Sequence, residues 1–194
     1  MVQATPADRE RVVDTVVTAF RADPAFRYFF PDETRFDDQA AAFAGHLFDR
    51  RVCRGTVWVV EGGAAVAMWD APGEDPADPV STLDLPPQSR ARLERFDAVV
   101  GAALPASPFW YLGVLATHPD HAGRRWGRSL MAAGLDGAAG LPAYLETANP
   151  RNVDLYRGVG WELVTSAVVG DDQRANDPGL PVWVMRHPGR SGRS

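Results

Sequence analysis

The chain has no lysine: all 20 of its basic residues are arginine. Schiff-base catalysis through a side-chain amine is therefore excluded, and so is a Walker-type phosphate loop with its obligatory lysine. Cysteine is nearly absent too. The lone thiol, Cys53, can form no internal disulfide, and at the end of an amphipathic stretch it reads as a small apolar residue rather than a nucleophile. Cys53 and the four histidines have no metal-ligand spacing, so no metal is expected. No apolar run approaches membrane-spanning length, and no basic segment followed by an apolar one opens the chain. The expectation is a cytoplasmic protein with no membrane partner. Net charge is −5, so no global field draws nucleic acid and none is expected as a partner, although Arg124, Arg125 and Arg128 are locally basic.

What is present suits a globular fold. At 194 residues and 45 % hydrophobic, the chain is large enough for a full core in one domain over 1–187, leaving 188–194 as a flexible tail. Thr5-Pro6 opens a helix near 6–22, with Val12, Val13, Val16, Val17 and Phe20 at helical spacing. An aromatic-rich connection over 22–31 leads to a second helix at about 33–53. Gly62-Gly63 separates strands 56–60 and 64–69, a hairpin signal. Residues 71–88, rich in Pro, Asp and Gly, read as a surface loop. After it come a helix near 89–103, a strand at 109–117, a helix at about 124–139, a strand at 141–147 and a short helix at 150–159. Closing strands near 161–169 and 180–187 flank a turn-rich stretch over 170–179. Strands 109–117 and 141–147 are joined by a helix and should be parallel neighbours. The fold class is therefore α/β (α+β): a mixed, mostly antiparallel sheet of six to seven strands with helices on both faces.

Two motifs carry chemistry. The first runs from Leu115-Ala116-Thr117 through His118-Pro119-Asp120-His121 into Ala122-Gly123-Arg124-Arg125-Trp126-Gly127-Arg128-Ser129. A strand, a proline-marked turn and a Gly/Arg loop feed straight into a helix, whose unpaired N–H groups suit a pyrophosphate. Taken alone, the loop is equally an ordinary helix start. The second motif is Asn149-Pro-Arg-Asn152-Val-Asp-Leu-Tyr156-Arg-Gly-Val-Gly160-Trp161. Together the two motifs resemble the cofactor site of the Gcn5-related N-acetyltransferase (GNAT) superfamily. Scattered strings resemble its puromycin N-acetyltransferase-like members: Ala19-Phe-Arg-Ala-Asp-Pro24, Gly55-Thr-Val-Trp-Val-Val60, Ala64-Ala-Val-Ala-Met-Trp69, Val114–His121, Leu145–Asn152 and Pro181-Val-Trp-Val-Met185.

The resemblance implies a GNAT fold whose parallel strands splay at the cofactor site, and acetyl-CoA as co-substrate. It implies a small-molecule primary amine as acceptor, an aminonucleoside-type antibiotic among the options, and a monomer or homodimer. The family pattern at the loop is Gln or Arg, two residues, Gly, one residue, then Gly or Ala. Gly127 matches, but Ala122 opens the motif and Arg125 stands where the first glycine belongs. If Arg125 points outward, its backbone can still serve. If inward, donor binding changes, and the alternative is a non-catalytic or altered-donor binding module on the same fold. In the family an irregular strand at Leu115, Ala116 and Thr117 offers free amides to the pantetheine arm and thioester oxygen; an uninterrupted strand would not.

Tyr156 matches the family tyrosine that precedes Gly-Phe or Gly-Trp, a general acid for the departing thiolate. Outside that motif it would more simply be packing. Asn152, at i−4 on the same helix face, can bond the pantetheine amides. Glu146 ends an apolar strand, where it can deprotonate the incoming ammonium or merely pair with an arginine. His118 and His121 lie near the loop and read as solvated. Phe26, Tyr28, Phe29 and Phe30, with Trp69 and Trp110, are candidates for an aromatic acceptor pocket, against core packing as the plainer reading; Trp183 also falls near a strand end.

Overall fold

The computed structural model describes residues 1–73, 83–170 and 179–189. Seven strands form one sheet: β1 (Val2–Gln3), β2 (Val57–Val60), β3 (Ala65–Asp70), β4 (Trp110–Thr117), β5 (Ala143–Thr147), β6 (Glu162–Val169) and β7 (Leu180–His187). Their spatial order is β1-β2-β3-β4-β5-β7-β6. All neighbours are antiparallel except β4 and β5, which run parallel as the joining helix requires. Among the described residues, six α-helices pack on the sheet: α1 (Arg9–Phe20), α2 (Pro24–Phe29), α3 (Phe36–Val52), α4 (Pro87–Ala102), α5 (Trp126–Gly137) and α6 (Pro150–Arg157).

Strand alternation divides the core in two. Val57, Val59, Val66, Met68, Val114 and Ala116 point to one face, against α1 to α4 and a cluster of phenylalanines from α2 and α3. Ala65, Ala67, Trp69, Leu112 and Leu145 point to the other, against Leu130, Met131 and Leu135 of α5 and Val153 of α6. Gly134 lets α5 come close: a Cβ there would lie 2.2 Å from the Trp69 ring.

Three elements differ from the sequence expectation. The aromatic connection contains α2, started by Asp23, whose carboxylate accepts from the N–H groups of Ala25 and Phe26, with Pro24 at the first helical position. β1 is a two-residue edge strand on β2, too short to leave a period in the sequence. α4 starts at Pro87, inside the expected surface loop. The rest of that loop over 74–82, the turn-rich stretch over 171–178 and the tail over 190–194 lie outside the described residues. Among the described residues no helix is long and apolar enough to cross a membrane.

Candidate active site

β4 and β5 pair only from Trp110–Ala143 to Leu112–Leu145 and then part. Beyond that point β4 keeps its partner β3 but loses β5. The His118 N–H donates to the Ala64 carbonyl at 2.9 Å, on the β3 side. Successive strand N–H groups point to opposite edges, so the Ala116 N–H faces β3, while those of Leu115 and Thr117 face the gap. Leu115 and Thr117 are thus placed to offer main-chain donors there; Ala116 is not. The irregularity of the strand also sits elsewhere than expected. The register with β3 steps from Val114 to Leu112, bulging β4 at Gly113 rather than at 115–117. A Cβ at Gly113 would stand 3.0 Å from Nη2 of Arg51, which runs beneath the bulge.

From Thr117 the chain makes a short turn, Pro119–His121, capped by the His118 ring, which accepts from the Asp120 N–H. Gly123 (φ +81°) and Arg125 (φ +60°) then take left-handed conformations before α5. Arg125 therefore holds the backbone shape that glycine favours, and its side chain is exposed. No side chain caps α5, so the N–H groups of Trp126 and Gly127 lack an intrahelical partner and face outward, as an anion requires. Arg124 lies over the Trp126 ring at 5.0 Å and near Glu61 at 3.8 Å. Ala122, Arg128 and Ser129 are exposed beside them. A Cβ on Gly127 would meet only Leu115 at 3.7 Å, an ordinary contact, so packing does not demand glycine there. This loop and the gap fit a donor with a pyrophosphate and an extended amide-bearing arm.

On the other side of the gap lies a cavity of about 930 Å³, walled by α1 to α4 and ended by α6. Glu146, half-buried, projects into it just where β5 leaves β4. The Tyr111 hydroxyl, on β4, donates to Oε2 of Glu146. Loss of hydration pushes the Glu146 carboxyl up to about 7, against the opposing pull of the Tyr111 hydrogen bond and the charge of Arg51. Burial and the Glu146 charge hold the Tyr111 phenol well above its ordinary range, so it remains a donor. Tyr156 lines the same cavity from α6, and burial together with the Glu146 charge likewise raises its phenol. Asn152 lines it as well, tied by its side-chain amide to the Thr147 hydroxyl at 3.3 Å. Arg51 does not pair with Glu146: it donates to the Leu47 carbonyl and to Asp70.

The aromatic candidates separate. Phe26 and Phe29 line the cavity. Phe30 is fully buried among Phe26, Phe36 and Phe43. Tyr28 is turned to α4, with Arg92 over its ring and Arg95 at its hydroxyl. Trp69 and Trp110 are corrections: both pack on the opposite face of the sheet, Trp69 wholly buried under α5. Alternation explains it, since Trp69 falls on the same face as Ala65 and Ala67. Trp183 packs with them. Neither His118 nor His121 is among the cavity-lining residues; the His121 ring lies 5.3 Å from that of Trp126. Cys53 is exposed and belongs to neither core cluster. Among the described residues no group of three or more His, Cys, Asp or Glu could hold a metal ion. Sequence reading missed Tyr111, Asp23 and Asp97, which reach the cavity from β4, the start of α2 and α4.

A family profile, that of the Acetyltransferase (GNAT) family, matches residues 6–161. The chain belongs to that family. As a GNAT protein it is an acyltransferase, and the family's donor is acetyl-CoA. Its GNAT fold is shared with a solved structure described as histone acetyltransferase HPA2 and related acetyltransferase from Corynebacterium glutamicum, 25% identical, covering 100% of this chain and 97% of that one at a TM-score of 0.65. The polyamine N-acetyltransferase of Drosophila melanogaster is similar in fold at 15% identity, with 95% and 97% coverage and a TM-score of 0.71. Arylalkylamine N-acetyltransferase 2 of Aedes aegypti is another, at 11% identity, 96% coverage of both chains and a TM-score of 0.68.

Proposed function

We propose that this GNAT protein transfers the acetyl group of acetyl-CoA to a primary amine of a small molecule by direct attack in a ternary complex. One observation carries the reading: Glu146, lifted to about 7, stands at the mouth of the gap between the unpaired Leu115 and Thr117 amides and a cavity that Tyr156 also lines. A carboxylate with that affinity takes a proton from an alkylammonium near neutral pH, leaving the nitrogen lone pair free to attack the acyl carbon. The Leu115 and Thr117 N–H groups stabilise the charge that develops on the acyl oxygen. Tyr156, a phenol throughout the neutral range, gives its proton to the departing sulfur; the second proton shed by the acylated nitrogen passes to solvent, which restores the phenol. The exposed arginines at the start of α5 and its free N–H groups hold the pyrophosphate.

The family resemblance supports an amine as acceptor, and the apolar wall that includes Phe26 and Phe29 supports one with an apolar body. The likeness to puromycin N-acetyltransferase-like members makes an aminonucleoside-type antibiotic one acceptor to try, with resistance of an expressing cell as the cellular readout.

The test is calorimetric titration with acetyl-CoA and with free coenzyme A, followed by acetylation assays on an amine panel that includes puromycin. Tyr156→Phe should lower kcat by roughly 10²–10⁴-fold with donor affinity retained. Donor binding without acetylation of any amine would leave a binding module, and unaltered turnover in the variant would remove Tyr156 as the acid.

A further inference from the structure

Side chains on a strand alternate between the two faces of a sheet, so one extra residue reverses the facing of everything beyond it. β4 shows that reversal. Val114 and Ala116 belong to the core on the side of α1 to α4. By alternation Leu112 should join them, and Tyr111 should point to α5. The opposite is found: Leu112 and Trp110 pack on the α5 side, and Tyr111 packs on the cavity side. The change falls at Gly113, where the register with β3 steps from Met68–Val114 to Trp69–Leu112. Tyr111 then pairs across the strands with Asp70 and reaches Glu146 through its hydroxyl.

Arg51 occupies the space at this step. It comes from the last turn of α3 and is only 3 % exposed. Its Nη1 donates to the Leu47 carbonyl at 3.0 Å and its Nη2 to Asp70 at 2.5 Å. Nη2 also lies 3.0 Å from where a Cβ on Gly113 would stand, so the guanidinium uses room that only glycine leaves open. Burying a guanidinium costs hydration, which the Asp70 pair and the Leu47 carbonyl offset. Its Nε has no partner among the described residues.

We propose that Arg51 is a positioning residue for the transfer: its guanidinium fills and holds the bulge at Gly113, and the bulge turns Tyr111 toward Glu146. The inference rests on the acetyltransferase reading and adds to it the device that sets the base. A β4 paired straight along β3 would carry the Tyr111 hydroxyl to the far face. Glu146 would then lose its donor, and with Arg51 gone a nearby positive charge as well; each favours the ionised carboxylate. Other ionisable groups lining the cavity are Asp97 on α4, Asp70 on β3, Asp23 at the start of α2, Arg50 and His46 on α3, and Tyr156 on α6. On β7, Val184 stands opposite Glu146, with Arg186 two positions along. All of these stay unaltered when Arg51 and Tyr111 are varied, so a comparison isolates those two.

The experiment follows the Glu146 carboxyl by NMR across pH in the full chain carrying carboxyl-labelled glutamate, with Glu146→Gln assigning the signal. Arg51→Met should raise the midpoint by about one pH unit or more. Tyr111→Phe alone should raise it too. Added to Arg51→Met it should contribute nothing further, because the hydroxyl has already left Glu146. Two shifts that simply add would make Arg51 a nearby charge only and overturn the proposal. Arg51→Lys keeps the charge but not the planar fork that spans Leu47 and Asp70, and it decides the matter also if Arg51→Met does not fold. Its midpoint should remain above that of the wild type, and a return to the wild-type value would overturn the proposal equally. Where an amine is acetylated, the ascending limb of kcat/KM against pH should move with the midpoint. Should no amine be acetylated, the transfer reading fails by itself. The Glu146 titration needs no turnover and still decides whether Arg51 places Tyr111.

Discussion

The Tyr111 hydroxyl donates to Oε2 of Glu146 across the point where β4 and β5 part. The two side chains sit on the two parallel strands, Glu146 one residue beyond their last pair, Leu112–Leu145. The bond opposes the effect of burial on Glu146 and keeps its carboxyl near 7 rather than higher.

Removing that bond should change pH dependence before it changes anything else. In Tyr111→Phe the Glu146 carboxyl loses a donor that favours its ionised form, so its pKa rises. The ascending limb of the kcat/KM profile should then move to higher pH, with a rate at pH 7 lowered by about tenfold and recovered at pH 9. A uniform drop at every pH would assign Tyr111 a merely structural part.

Glu146 should also cost stability in the folded state. Its carboxyl rises from an ordinary 4.5 to about 7 on folding, so the native state binds its proton more tightly than the unfolded chain. The stability associated with that proton is complete below pH 4.5 and lost as pH rises through 7. Melting of Glu146→Gln should therefore exceed that of the wild type at pH 8, with the difference shrinking toward pH 4. A gap independent of pH would contradict this account.

Arg125 adopts φ +60°, where a Cβ is strained. Arg125→Gly should relieve about 1 kcal/mol, raising Tm by roughly 2–4 °C for a chain of this size. The same variant loses an exposed cation beside the phosphate-binding amides. Affinity for acetyl-CoA should fall at low salt, and the deficit should fade as ionic strength rises.

Gly134→Ala places a methyl 2.2 Å from the Trp69 ring, against a rigid side chain with no free side to retreat to. Overpacking of this kind costs about 1–3 kcal/mol, which thermal melting should register as a clear loss. An unchanged Tm would mean that α5 can lift off the sheet without penalty.

Much of this architecture is legible in local pattern. Val12, Val16 and Phe20 mark α1 by period, and Gly62-Gly63 marks the β2–β3 hairpin. The strand, loop and helix around Thr117 and Trp126 are recognisable because an anion-binding helix start is built from consecutive residues. Asp23-Pro24 carried a helix-start signal that the surrounding aromatics obscured. Other features had no local trace. The bulge at Gly113 lies over Arg51, which arrives from α3, and Trp69 meets α5 at Gly134, contacts between elements distant in sequence. Asp97 and Tyr111 reach Glu146's cavity from elements distant in sequence, and no spacing rule joins a residue on α4 to one on β5.

The seam between β4 and β5 has a mechanical consequence. Strands β1 to β4 form one panel and β5 to β7 another, stitched by three residue pairs, Trp110–Ala143, Tyr111–Tyr144 and Leu112–Leu145. A donor arm lying in the opening and accepting from Leu115 and Thr117 would act as the missing length of stitch. The empty protein is then the looser of two states, and filling the seam should slow exchange of those two amide protons and tighten both panels at once.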